Sequence, residues 1–219
     1  MLWKLPQLFT PVTKRHVEQQ VLHHTNLPKL FRIIQDVDQY SAFLPLCTYS
    51  KIIPNSQRIL NNEDGRHYFE ATLTVGVPPL LQETYDSAVY IDPQQYTIET
   101  HSIKSQKFDS LKSYWKLSSP LATTALDEVV ATPSMAFGEN AHPNLPNNIH
   151  PPLLHYPQTH EFPVPPSSST AFSTDETTQV YFMVEMTVSD PLIVTTLDQL
   201  LVKVAKQQVA AFAQRCQSA

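Results

Sequence analysis

Glycine is nearly missing from this chain. Three glycines in 219 residues leave no room for a glycine-rich loop that cradles a phosphate, which excludes the common nucleotide-binding fingerprints. Cysteine is as scarce. Cys47 and Cys216 belong to no paired motif, so the sequence predicts reduced thiols of an intracellular protein, not a disulfide framework. Excess positive charge is lacking too. The formal net charge of -5 gives no basic footprint, and nucleic acid is not an expected partner. No run approaches the roughly 18 uninterrupted apolar residues of a membrane-spanning helix, so membrane contact is expected to be peripheral. No serine sits in a nucleophile elbow, and neither CxxC nor HExxH occurs.

Residues that could carry chemistry are present but scattered. His23 and His24 are adjacent, so on a strand they point to opposite faces. His142, His150, His155 and His160 fall in a proline-rich stretch where nothing orders them as ligands, and no metal site is expected. Glu70, Glu83, Glu99 and Glu185 lie on expected strands. One facing a cavity could act as an acid or base, although most strand carboxylates face water. Cys47 has no assigned histidine partner and reads as a small buried core residue.

What the chain does have is apolar pattern. A share of 42% hydrophobic residues is enough for a core. The longest element is expected from Pro191 to about Cys216, with Asp190 as cap and Pro191 at the first helical position. Leu197, Leu200, Leu201, Val204, Ala205, Val209 and Phe212 form its i, i+3, i+4 stripe. At ~1.5 Å per residue it would be roughly 39 Å long. Most of the preceding chain reads as strands: 17–22, 50–53, 67–75, 83–91, 96–103, 108–117 and 179–188. Two short helices near 26–37 and 38–43 follow the first strand. In the last strand Val180, Phe182, Val184, Met186 and Val188 share one face. Short turns between consecutive strands imply an antiparallel sheet. The expected fold is α+β, a curved antiparallel sheet around one long terminal helix, with an apolar cavity between them.

Two segments stand apart. Residues 1–15 are basic, apolar and acid-free, a candidate targeting tail, with an unstructured tail as the alternative. Residues 118–178 hold ten of the nineteen prolines and the run Ser167-Ser168-Ser169-Thr170, and read as a disordered insertion within a single domain of residues 16–217. Phe43, Leu44, Val75, Val77, Leu80, Leu81, Phe108, Leu111, Trp115, Phe182 and Met186 exceed what a thin sheet-on-helix layer needs. Val77-Pro78-Pro79-Leu80-Leu81 falls in a loop, where an apolar run marks a binding or membrane-touching surface.

These residues resemble a family. Val37-Asp38-Gln39-Tyr40, Phe43-Leu44-Pro45, Cys47 and Ser50-Lys51-Ile52-Ile53 are similar to the helix pair and following strand of the mitochondrial coenzyme Q-binding START-domain proteins, within the wider polyketide cyclase and START-like superfamily. Val75-Gly76-Val77-Pro78-Pro79, Glu83-Thr84-Tyr85, Ser87-Ala88-Val89, Trp115, Lys206-Gln207-Gln208-Val209-Ala210-Ala211-Phe212 and Arg215 continue the likeness in order. The resemblance implies a helix-grip fold with a hydrophobic tunnel for ubiquinone, held as bound ligand with no other cofactor and no catalysis. The expected lining is Tyr40, Phe43, Leu44, Val75, Val77, Tyr85, Phe108, Trp115, Phe182, Val184, Leu197, Leu201 and Val204. Tyr40, Tyr85 and Trp115 are the head-group candidates, since each joins a polar handle to an apolar body. The implied role is a carrier or chaperone delivering coenzyme Q for respiration and supporting its synthesis. It would be peripheral on the matrix side of the mitochondrial inner membrane, with respiratory complexes or quinone-synthesis enzymes as partners. A protein-interaction module and a cyclase or aromatase-type enzyme are the alternatives.

The loop reading is open to direct test. Leu80→Asp together with Leu81→Asp is expected to slow quinone exchange between liposomes several-fold, and unchanged exchange would remove this loop from the transfer step.

Overall fold

The computed structural model describes residues 10–77, 81–120 and 176–218. Strand β1 (Val12–His23) leads to helix α1 (Leu27–Gln35), a 3₁₀ turn (Val37–Gln39) and helix α2 (Tyr40–Phe43). Strands β2 (Cys47–Ile52), β3 (Arg58–Asn61), β4 (Arg66–Val77), β5 (Leu81–Asp92), β6 (Thr97–Lys104), β7 (Ser110–Ser118) and β8 (Thr177–Val188) follow. Helices α3 (Pro191–Val194) and α4 (Leu197–Ser218) end the chain. The strands form one antiparallel sheet in the order β1-β8-β7-β6-β5-β4-β2, with β3 also paired to β4.

Local chemistry sets the boundaries. The Asn26 Oδ1 accepts from the Lys29 N–H at 2.8 Å and caps α1, whose first turn holds Pro28. The Asp92 carboxylate accepts from the Gln94 and Gln95 N–H groups, each at 3.0 Å, and turns β5 into β6. Asp190 caps α3 by accepting from the Leu192 N–H at 2.8 Å.

Three expectations need correction. The terminal helix is not continuous from Pro191. The Thr195 and Thr196 hydroxyls donate to the Leu192 and Ile193 carbonyls at 2.9 and 3.2 Å, and this back-bonding separates α3 from α4. A strand, β3, lies between 53 and 67, where no strand is expected, because it is only four residues long, pairs with β4 and leaves Ile59 and Leu60 exposed. The first strand starts at Val12, inside the segment read as a tail. Its burial alternates so that Val17 and Val21, 39% and 51% exposed, face outward. The face turned inward carries Lys14, His16, Glu18 and Gln20, and Lys14 reaches Asp198 on α4 at 2.9 Å. Residues 121–175, most of the expected insertion, lie outside the described residues.

The core lies between sheet and helices. Leu197, Leu201, Ala205, Val209, Phe212, Ala213 and Cys216 are the buried stripe of α4. They meet Val180, Phe182, Val184, Met186 and Val188 of β8, which are all buried. Phe31 and Ile34 of α1 close one end of this core, with Phe31 set edge-on against Tyr96 at 5.1 Å.

Face assignment and core position give opposite mutational outcomes. Phe31→Ala should lower unfolding free energy by about 3–5 kcal/mol. Val17→Thr and Val21→Thr should each stay within about 0.5 kcal/mol of the parent. Denaturant titration of the three variants checks both, and a large loss at Val17 or Val21 would reverse the assigned face.

Candidate functional site: an uncharged cavity beneath the terminal helix

A cavity of about 160 Å³ lies between the inner face of the sheet, the α1–α2 region and α4. An apolar cavity of roughly 150 Å³ accepts one benzene ring, so the enclosed space is that of a single six-membered ring. The sheet lines it in register. The row nearest the closed end is Ile98, Trp115 and Phe182. The next row is Val89, Thr100, Ser113 and Val184. Further out, Ser87 and Leu111 pair across with Ser102 and Met186. Helix α4 supplies Leu200, Leu201, Val204, Gln207, Gln208 and Phe212.

Aromatic rings shut one end. Trp115 stacks on Phe182 at 4.1 Å, and Phe212 of α4 meets Trp115, Tyr40 and Phe43 edge-on at 5.2, 5.3 and 5.4 Å. A wide recess of about 1300 Å³ lies between the β6–β7 connection and the α3–α4 region, and Leu200 lines both it and the cavity. Leu192, 81% exposed, and Ile103, 53% exposed, stand at that recess.

The lining is uncharged. Among the described residues it includes no Asp, Glu, Lys, Arg or His. Burial pushes the Tyr40 hydroxyl well above the usual phenol range, with nearby Cys47, Asp36 and Tyr85 adding to it. Burial, with Cys47 second, does the same to Tyr85. The Cys47 thiol is raised by burial too and donates to the Tyr49 carbonyl. All three are neutral around pH 7.

Nine of the thirteen expected lining residues meet in this wall: Tyr40, Leu44, Val75, Tyr85, Trp115, Phe182, Val184, Leu201 and Val204. Three stand elsewhere. Phe43 packs on Tyr40 and Phe212, with the Arg215 guanidinium 5.7 Å from its ring centre. Phe108 meets Tyr85 edge-on at 5.2 Å and lines the outer recess, because it precedes β7 instead of lying in it. Leu197 is fully buried in the core at the start of α4. The expected membrane-touching segment, Val77–Leu81, lies outside the residues whose side chains are described. Of the head-group candidates, Tyr40 spends its hydroxyl on the Ile34 carbonyl. The Tyr85 hydroxyl makes no hydrogen bond among the described residues.

Sequence reasoning passed over the polar members of the wall: Ser87, Thr100, Ser113, Gln207 and Gln208. Strand parity was the available signal, since Thr100 lies two residues from Ile98, and Ser113 two from Leu111 and Trp115, on the same inward face. The four candidate acids lie off the cavity. Glu185 pairs with Arg15 at 2.8 Å, Glu99 with His101 at 2.6 Å, and Glu70 accepts from the Tyr68 hydroxyl at 2.6 Å. Buried Glu83 accepts from the Ser105 hydroxyl at 2.9 Å and from the Gln106 and Lys107 N–H groups at 2.5 and 3.3 Å, which ties it to the β6–β7 connection.

A sheet that grips one long helix over an uncharged apolar cavity defines a helix-grip, START-like protein. Residues 26–213 match the family described as polyketide cyclase / dehydrase and lipid transport, and the chain belongs to that family. Over 88 residues it is 32% identical to the mitochondrial coenzyme Q-binding protein coq10 of Schizosaccharomyces pombe. That match covers 40% of this chain, and the chain spans about half, 49%, of that relative's length. Among solved structures it is similar to the Zhui aromatase/cyclase from Streptomyces sp. R1128, with TM-score 0.56 and 10% identity over 94% of each chain. A START superfamily protein from Mycobacterium smegmatis gives 0.52 and 12%, over 93% of this chain and 98% of the other. At these identities the two structures carry the fold alone.

Glu83, the one buried acid of the four, is the acid to test. Glu83→Ala leaves the Gln106 N–H and the Ser105 hydroxyl without their acceptor and should cost about 1–3 kcal/mol of stability. Ligand affinity measured on the folded fraction should be unchanged, and a stable variant that has lost its ligand would give Glu83 a direct role at the site.

Proposed function

We propose that this chain binds coenzyme Q in the cavity beneath α4 and serves, without catalysing a reaction, as its carrier or chaperone. The observation that carries the reading is the lining: a ring-sized, apolar space with no charged side chain among its described residues. Such a wall suits a neutral aromatic or quinonoid ring and, among its described residues, holds no carboxylate, histidine or lysine for general acid–base work. The likeness to a coenzyme Q-binding protein narrows the ligand class. The same relative, which is mitochondrial by name, supports a mitochondrial location, and the proposed placement is peripheral on the matrix face of the inner membrane. No helix among the described residues is long and apolar enough to cross a membrane.

Transfer follows from the shape. The cavity is closed by aromatic rings at one end, and its proposed mouth is at the other, toward the neighbouring recess lined by Leu192 and Ile103. The start of β5 lies beside this end as well, because the Lys107 ammonium donates to the Gln82 carbonyl at 2.6 Å beside the Glu83 contacts. A quinone would pass between lipid and protein here, with the α3–α4 break as the flexible point. Respiratory complexes or quinone-synthesis enzymes would receive it.

Organic extraction and mass spectrometry of protein purified from its own cells is the test. Ubiquinone at near-stoichiometric amount is the expected outcome. An empty cavity after purification from quinone-replete membranes would sink the carrier reading and leave a protein-interaction module as the next to examine.

A further inference from the structure

The inner row Val89, Thr100, Ser113 and Val184 has a feature that core packing does not require. Thr100 and Ser113 are partners in the β6–β7 register, and both line the cavity. Their hydroxyls bond each other at 2.8 Å, with either atom able to donate. That single bond uses one of two hydroxyl hydrogens. The other has no acceptor among the described residues. Gln207 of α4 lines the same space, and its Oε1 is buried without a hydrogen-bond partner among the described residues. In a wall that is otherwise mostly apolar, these groups hold unspent hydrogen-bonding capacity, and burying such capacity unused is unfavourable.

Resting on the reading of the cavity as a quinone site, we infer that the Thr100–Ser113 hydroxyl pair is the station for the ligand's ring, donating its free hydrogen to a ring carbonyl oxygen. Gln207 lines the space beside the ring; its free Oε1 is an acceptor and takes no bond from an oxidised quinone, which carries no donor. The ring therefore enters first. It rests against Trp115 and Phe182, one row deeper, and the isoprenoid tail leaves past Leu111, Met186 and Leu200 into the outer recess. Volume supports this orientation, because about 160 Å³ suits a ring and not a long tail, whereas the recess of about 1300 Å³ has space for tail units. Tyr85 is the competing donor. It sits four residues from Val89 along β5, roughly 13 Å at ~3.3 Å per residue, next to Phe108 at the outer recess. A ring held there would leave the enclosed rows empty.

The double variant Thr100→Val with Ser113→Ala removes both hydroxyls together. Neither is left unpaired, so folding should be little affected. The probes are a short-tailed ubiquinone and the matching isoprenoid hydrocarbon without a ring, with the carbonyl stretching band of bound quinone read by infrared difference spectroscopy. The variant is expected to bind the quinone about tenfold more weakly, to keep its affinity for the hydrocarbon, and to return the carbonyl band to its non-hydrogen-bonded frequency. Thr100→Ser, which keeps the hydroxyl, should bind as the parent does. If the parent binds quinone and the double variant matches it in affinity and band position, the head-group station is wrong while the carrier reading stands. Equal loss of both probes would make the pair structural and overturn the inference, and so would a band shift abolished by Tyr85→Phe. A parent that binds no quinone overturns the inference and the function beneath it together.

Discussion

Phe212 is the contact on which the site depends. It stands near the end of α4 and touches three rings at once: Trp115 from the sheet and Tyr40 and Phe43 from the short helical stretch after α1. One side chain thus fastens the terminal helix to both of the surfaces it must bridge. Edge-on aromatic pairs add about 0.5–1.5 kcal/mol each beyond the area they bury, and three of them share this ring. The start of α4 has no comparable hub. There the helix is separated from α3 by two back-bonding threonines, and Leu192 and Ile103 stand in solvent. A helix pinned at one end and interrupted at the other gives a cavity with a floor and a mouth.

The cavity itself is an incompleteness that the rest of the core makes affordable. A void of 160 Å³ left empty costs about 4 kcal/mol at ~24 cal/mol per Å³. Larger side chains on the inner face would remove that cost. Instead Ser87, Thr100 and Ser113 sit in rows whose neighbours are Ile98, Trp115 and Phe182. The short residues leave the space, and the long ones around it hold its walls. The wall stays uncharged because the acids of these strands are engaged elsewhere, Glu83 with backbone N–H groups and Glu185 with Arg15.

Much of the fold is legible in the sequence, for a physical reason. β8 is buried on its inner face throughout, so its alternation is plain, and α4 carries a complete helical stripe. The α1 region announces itself through Asn26 and Pro28. β1 was legible as a strand but not in its facing. Its inward side meets the polar flank of α4 through Lys14 and Asp198, so Val17 and Val21 lie outside against the usual rule. The α3–α4 break was hidden because two adjacent threonines disfavour a helix only weakly, and it is their hydroxyl bonds that reveal the bend. The site was legible in its apolar members and silent in its polar ones. A lone Thr100 or Ser113 means little on a strand until register sets the two side by side.

Under the proposed function, ring and tail pose different problems, and the two spaces answer them separately. The ring is polar at its oxygens and flat, and the enclosed rows provide an aromatic floor with hydroxyls above it. The tail is purely apolar, and every methylene left in water costs about 0.8 kcal/mol. An enclosed volume the size of one ring does not cover a tail of many units, and the outer recess, with Lys104, Lys107 and Lys203 in its wall, is too polar to replace lipid. The tail's remaining surface then has to stay against the bilayer or another apolar surface while the head is held. Such a protein need not extract the whole ligand into water. It can detach the head from the membrane interface and present it, and return of the tail to lipid remains favourable throughout, which makes release as accessible as uptake.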